Sequence, residues 1–133
     1  MSPIVLDTDV ASRIIKRTLP GTLATALVGR QGIISFVTIG ELTKWINVRD
    51  LGERRRSIIN SWIDAQPVVG GGPEVAHKWG EITAFTQLRG RPRPSNDSWI
   101  AAVCLTFEFP LATLNVKDFE DFAEYKGLEI LTA

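Results

Sequence analysis

The sequence predicts one α/β domain, a three-layer α/β/α sandwich with a central parallel sheet. Three observations lead there. The 133 residues are 44% hydrophobic and 23% charged, the ordinary composition of a single globular domain able to bury its own core. Short apolar runs such as Ile4-Val5-Leu6 and Ile33-Ile34 show no polar alternation, as expected of strands covered on both faces. Longer segments with apolar residues at helical spacing separate them, so strands and helices alternate along the chain.

Taken in order, residues 4–6 form a first strand that ends at Asp7, and a helix follows over 10–16. Pro20-Gly21 breaks the chain before a second helix over 22–28. Gly32 precedes a strand over 33–35, and Thr38 opens a helix to about Val48. Residues 53–65 carry Ile58, Ile59, Trp62 and Ile63 at helical spacing and form its antiparallel partner. Residues 66–69 make a short strand, Gly70-Gly71-Gly72 a connection, and Pro73 starts a helix that stops at Gly90. Ser95 or Asn96 caps the next helix, through Leu105. A strand over 111–113, a short helix or turn over 118–122 and a last strand over 128–131 complete the domain.

Composition excludes several kinds of chemistry. Fifteen basic and fifteen acidic residues balance, which rules out a uniformly basic coat for nucleic acid but not a local basic patch. A single cysteine, Cys104, allows no internal disulfide, and its apolar neighbours make it a core residue. The single histidine, His77, rules out a His-rich metal site, and no nucleophile elbow accompanies it. Any metal held by side chains therefore meets mostly carboxylates, which favours hard cations such as magnesium or manganese. The N-terminal stretch has no basic leader and no run reaches the length of a membrane span. The expectation is a cytoplasmic protein.

The acids fall at the ends of elements. Asp7 ends the first strand, Glu41 sits in the first turn of the helix after the second, Asp97 in the first turn of a later helix, and Asp118 follows the strand over 111–113. In a parallel sheet, strand carboxyl ends and helix N-termini share one edge, where ligands bind. Each acid also has a plain structural reading. Thr38-Ile39-Gly40-Glu41 fits a capping box, Asp7 or Asp9 can cap a helix, and Asp97 and Asp118 suit helix dipoles. Four carboxylates at one edge repel unless a cation lies between them. One or two divalent ions so held polarise a phosphodiester and activate water, without a histidine, cysteine or serine nucleophile.

Ile4-Val5-Leu6-Asp7-Thr8-Asp9-Val10, Ser35 through Glu41-Leu42, Asn96-Asp97-Ser98-Trp99-Ile100-Ala101-Ala102 and Thr113-Leu114-Asn115-Val116-Lys117-Asp118-Phe119 together resemble a PIN domain. More narrowly, they resemble the VapC toxin ribonucleases of bacterial type II toxin–antitoxin pairs. The resemblance runs over the whole chain and implies a single PIN-like domain over 1–133. It implies a Mg²⁺- or Mn²⁺-dependent endoribonuclease whose metal ligands are Asp7, Glu41 and Asp97, with Asp118 as the fourth acid. Some relatives carry an acid where this chain has Asn115, so Asp118 and Asn115 both stand as sources of that ligand. Thr8, Thr113 and Asn115 are supporting polar groups, and Asp9 is a weaker candidate. The implied reaction is in-line hydrolysis by activated water, with no covalent enzyme intermediate, leaving 5′-phosphate and 3′-hydroxyl ends. The implied partners are RNA, a second copy of the chain and a VapB-type antitoxin. Operator DNA is reached only through that antitoxin.

Arg89, Arg91 and Arg93, in a Gly- and Pro-rich loop before Asp97, are candidates to hold RNA phosphates, or form a solvated charged loop. Arg54-Arg55-Arg56 reads as a solvent face, with one residue pairing to Glu53 or Asp50. Each of the four tryptophans is a candidate to stack bases; Trp79 and Trp99 read better as core, whereas Trp45 and Trp62 are free to pack on each other or on a partner. The alternative function is a catalytically silent PIN-like module that binds RNA or protein. A phosphatase is disfavoured because no matching lysine motif accompanies Asp7-Thr8-Asp9. A Rossmann protein is disfavoured because no G-x-G-x-x-G follows the first strand.

Overall fold

A computed structural model describes residues 2–133. Five strands, β1 (Ser2–Leu6), β2 (Arg30–Ser35), β3 (Val68–Val69), β4 (Leu111–Ala112) and β5 (Ile130–Leu131), form one sheet in the order β3-β2-β1-β4-β5. Every pairing is parallel. Helices α1 (Thr8–Lys16), α2 (Gly21–Ala26), α3 (Phe36–Val48), α4 (Glu53–Asp64), α5 (Pro73–Leu88), α6 (Ser95–Phe107) and α7 (Glu120–Lys126) complete the chain, with a 3₁₀ turn over Val116–Asp118.

Two cores explain the three layers. On one face Val5 and Leu111 pack with Val75, Ile82, Ile100, Phe119 and Phe122. On the other, Ile4, Leu6 and Ala112 pack with Val10, Leu23, Leu42, Ile46 and Ile59. The alternation of Ile4, Val5 and Leu6 between the two cores is the period-2 geometry of a strand. Because both faces are covered, the strand reads as unbroken apolar sequence. Trp79 and Trp99 stack at 4.7 Å against the first core, as their registers predict, and Cys104 is buried there. Arg56 meets Asp50 at 3.6 Å, one of the pairings expected of the arginine run.

β1 lies where the strand order changes direction, between β2 and β4. That switch point opens a crevice outside the strand carboxyl ends. Gly32 of β2 leaves room for the Leu6 side chain, since a Cβ there would lie 2.9 Å from a Leu6 methyl.

Three sequence expectations are corrected. The helix expected from Thr38 starts at Phe36, and its cap is Ser35, whose hydroxyl accepts from the Thr38 amide at 3.4 Å. Thr38-x-x-Glu41 is therefore not a capping box, and Glu41 lies in the second turn. Neither Ser95 nor Asn96 caps α6: Pro94 precedes the helix with no side-chain cap. The last strand is shorter than expected and covers Ile130–Leu131.

Candidate functional site

The chain reverses from strand to helix at Asp7, and that reversal builds the site. Asp7 is the N-cap of α1, accepting from the Thr8 amide at 2.8 Å. Its other oxygen accepts from the Thr113 hydroxyl at 2.7 Å, across the crevice between β1 and β4. Asp9, in the first turn of α1, accepts from the Leu114 amide at 3.2 Å. The capping reading of Asp7 is thus correct, and its second oxygen still faces the sheet edge.

From the other side, α3 brings in Glu41. The Thr8 hydroxyl donates to Glu41 Oε1 at 2.6 Å and lies 2.9 Å from the Thr38 hydroxyl. A hydroxyl has one proton to give, so Thr38 donates to Thr8 and Thr8 to Glu41. Asn96 donates to the second Glu41 oxygen at 3.4 Å. Helix α6 supplies Asp97 in its first turn. Asp7, Asp9, Glu41 and Asp97 line one pocket of about 320 Å³ with Asn115.

Asp118 stands apart from that lining, beside Asp97 and bonded to the Asn115 side chain. Arg93 lies 4.0 Å from it and donates to the Lys117 carbonyl at 3.2 Å. The other two loop arginines do not line the pocket. Arg91 pairs with Glu120 at 3.3 Å and with the buried Asp121 at 3.2 Å. Arg89 stacks on Tyr125 at 4.0 Å. His77 is an exposed residue of α5.

Electrostatics mark the centre of the pocket. Burial raises the Asp7 carboxyl to about 7, the Asp9 charge adds to this, and the Thr113 and Thr8 hydrogen bonds oppose it. Asp97 is also raised to about 7, first by burial, then by its hydrogen bond to Asp118 and the charges of Asp118, Glu41 and Asp9. Asp9 is raised as well, chiefly by burial. Carboxyls that hold protons near neutrality are carboxyls without a counter-charge. Asp9 Oδ1 is buried with no hydrogen-bond partner. A hard divalent cation would satisfy that oxygen and the charge together, and the donor set is all oxygen, as such an ion requires. Among the described residues no three His, Cys, Asp or Glu side chains are gathered closely enough to form a ready-made cage. Glu41 is turned to Thr8, and Asp118 to Asn115 and Arg93. The donor chemistry suits such an ion, whereas the flanking acids are turned to neighbouring side chains.

Sequence reasoning missed Thr38 as the first donor of the hydroxyl chain, and Ser12 and Lys16 as pocket walls. A readable signal existed for the latter: Asp9, Ser12 and Lys16 follow i, i+3, i+7 spacing, one stripe of α1. Glu41 and Trp45, both lining the pocket, are likewise one turn apart.

This fold, with its acids at the switch point, defines the chain as a PIN-like α/β/α domain. No family model matches the sequence. It is 25% identical over 119 residues, 87% of this chain and 89% of the relative, to Ribonuclease VapC1 of Haemophilus influenzae. The toxin–antitoxin complex VapBC-5 of Mycobacterium tuberculosis has a chain that superposes with a TM-score of 0.76 at 23% identity, covering 100% of both. VapBC2 of Rickettsia felis, bound to a DNA fragment from its promoter, gives 0.82 at 18% identity over 98% of each chain. VapBC-1 of nontypeable Haemophilus influenzae gives 0.81 at 24% identity, over 98% of this chain and 97% of that one. The likeness to PIN-domain VapC proteins read from the four motifs is borne out in both sequence and fold. No helix among the described residues is long and apolar enough to cross a membrane.

Proposed function

We propose that this protein is a Mg²⁺- or Mn²⁺-dependent endoribonuclease, the toxin of a type II toxin–antitoxin pair. The observation that carries the reading is that Asp7, Glu41 and Asp97, from the cap or the first two turns of three separate helices, line one pocket. The relative named a ribonuclease and the neighbours named VapBC complexes support it.

Asp7 and Asp97 are the central ligands, Glu41 approaches from α3, and Asp118 with Asn115 extends the site along the rim. A divalent ion bound there supplies a Lewis acid for the phosphate and lowers the pKa of a bound water. Thr113 holds Asp7 in one rotamer, and Thr8 holds Glu41. Arg93, next to Asp118, meets a flanking phosphate, whereas Arg91 is committed to Glu120 and Asp121. Water attacks phosphorus in line, the P–O3′ bond breaks, and the ends are a 5′-phosphate and a 3′-hydroxyl. The protein acts in the cytoplasm as a homodimer, is neutralised by a VapB-type antitoxin, and reaches operator DNA only through it.

The test is cleavage of total cellular RNA by partner-free wild-type and Asp7→Asn protein, in Mg²⁺, Mn²⁺ or EDTA, with the cut ends mapped. The expected result is metal-dependent cutting that is lost in the variant. Cutting that persists in both EDTA and Asp7→Asn overturns the mechanism. Wild-type protein that binds RNA without cutting it returns the silent-module reading.

A further inference from the structure

One face of the molecule collects cations without acids. The end of α1 and the facing side of α4 enclose a groove of about 370 Å³, walled by Lys16, Arg49 and Arg55 beside Ile15 and Ile58. A second depression continues past Ile15 and Ile58 and adds Arg17 and Arg54. No carboxylate lines either. Among the described residues these five cations make no ion pair, in a chain whose acids and bases are equal in number. Arg91 of the loop before α6 behaves differently, since it is already paired with Glu120 and Asp121.

Trp45 joins this face to the acids. It and Lys16 line both the acid pocket and the basic groove, so they form the wall between the two. Lys16 Nζ lies 4.7 Å from the indole centroid and Arg49 Cζ lies 5.1 Å from it. Cation–π contact holds these heads near the ring, and neither makes an ion pair among the described residues. An aromatic plane flanked by unpaired cations has the composition of a single-strand platform, where bases stack and phosphates are neutralised.

We propose that this face carries single-stranded RNA away from the acid pocket. A base beside the scissile phosphate stacks on Trp45, and Lys16 and Arg49 take backbone phosphates on either side of it. The proposal rests on the ribonuclease reading and adds to it the direction of the strand. RNA is favoured over an acidic protein segment because the groove adjoins the acid pocket, with Trp45 and Lys16 lining both.

The experiment is fluorescence anisotropy in EDTA, with a labelled single-stranded RNA of about a dozen nucleotides, near the upper end of single-strand site sizes. It is read at several salt concentrations for wild type, Trp45→Ala, Trp45→Phe and the double variant Lys16→Ala/Arg49→Ala, with melting curves to confirm folding. Trp45→Ala is expected to weaken binding by about tenfold or more, and Trp45→Phe to restore most of it. The double variant is expected to flatten the log affinity–log salt slope by about 1.4, or ~0.7 per lost phosphate contact. Unchanged affinity and slope in the alanine variants overturn the proposal. So do variants that bind RNA as wild type does while losing a co-purified protein partner, because the face is then a protein interface. Binding that depends on Trp45, together with no cutting of cellular RNA by the same protein in Mg²⁺ or Mn²⁺, leaves the docking face standing and removes the ribonuclease reading instead.

Discussion

The acid pocket and the basic groove share a wall but are built on opposite rules. In the pocket, Asp7 is fixed at both oxygens and Glu41 accepts from Thr8. In the groove, Lys16, Arg17, Arg49, Arg54 and Arg55 make no ion pair among the described residues. Reaction at phosphorus demands placement to a fraction of an ångström, because misplacement raises the barrier steeply. Holding a flexible strand demands charge and a stacking surface, and long side chains supply both without a fixed geometry. On the proposed function, the difference separates residues that set the rate from residues that set the affinity.

The largest expected effect tests that separation at the acids. Asp97→Asn should lower kcat by about 10³-fold or more, equivalent to ~4 kcal/mol of barrier. RNA affinity in EDTA should change little, and single-turnover kinetics beside anisotropy reads both. If affinity collapses with the rate, the acids and the groove are not separate devices.

Next come the hydroxyls. Thr113→Val removes the donor to Asp7 and Thr38→Val the first donor of the chain to Glu41, and neither changes a carboxylate. Groups that orient metal ligands contribute roughly 10–100-fold to metal affinity or activity. Each variant should lose activity in that range, with part of the loss recovered at higher Mn²⁺, as a metal titration would show. A loss that no metal concentration relieves would mean that the hydroxyls support packing alone.

A smaller effect concerns stability in the absence of metal. The folded Asp7 carboxyl is raised to about 7 from an ordinary 3.8, so the native state keeps its proton longer than the unfolded chain does. Stability contributed by this group is present at low pH and falls as pH rises through that window. Asp7→Asn cannot lose it. In EDTA the variant should match wild type near pH 4 and exceed it by about 1–2 kcal/mol near pH 8, measured by urea unfolding. Added Mg²⁺ should close that gap by stabilising the wild type, and a gap that does not vary with pH would argue against a counter-charge deficit at Asp7.

An effect of similar size lies in the loop before α6. Arg91→Ala leaves the buried Asp121 without its partner and should destabilise the fold by about 1–2 kcal/mol, given that Arg91 itself is half exposed. RNA affinity should be unaffected. An affinity loss equal to that of the Lys16→Ala/Arg49→Ala variant would move the strand to this side of the pocket.

Much of this was legible in the chain. Apolar strands without alternation announced a sheet covered on both faces, and β1, β2 and β4 lie where those runs predict. The start of α3 was misread because Thr38-x-x-Glu41 matches a capping box locally. Ser35, three residues earlier, ends β2 and turns the chain first. The loop arginines looked free because Arg91 finds Asp121 and Glu120 only after α7 has folded against the loop.

By itself, then, the sequence determined the order of the elements, the parallel three-layer class and the placing of Asp7 and Asp97 at strand and helix ends. These follow from periodicity and turn chemistry between near neighbours, which any window of the chain carries. The tertiary structure alone decided which hydroxyl holds which acid, that Asp9 Oδ1 is left without a donor, and that Lys16 and Trp45 wall the acid pocket. Those facts depend on partners such as Thr113 and Asp7, 106 residues apart. Pairing at that distance is set by which strands adjoin at the switch point, a property of the whole packed sheet and of no local segment.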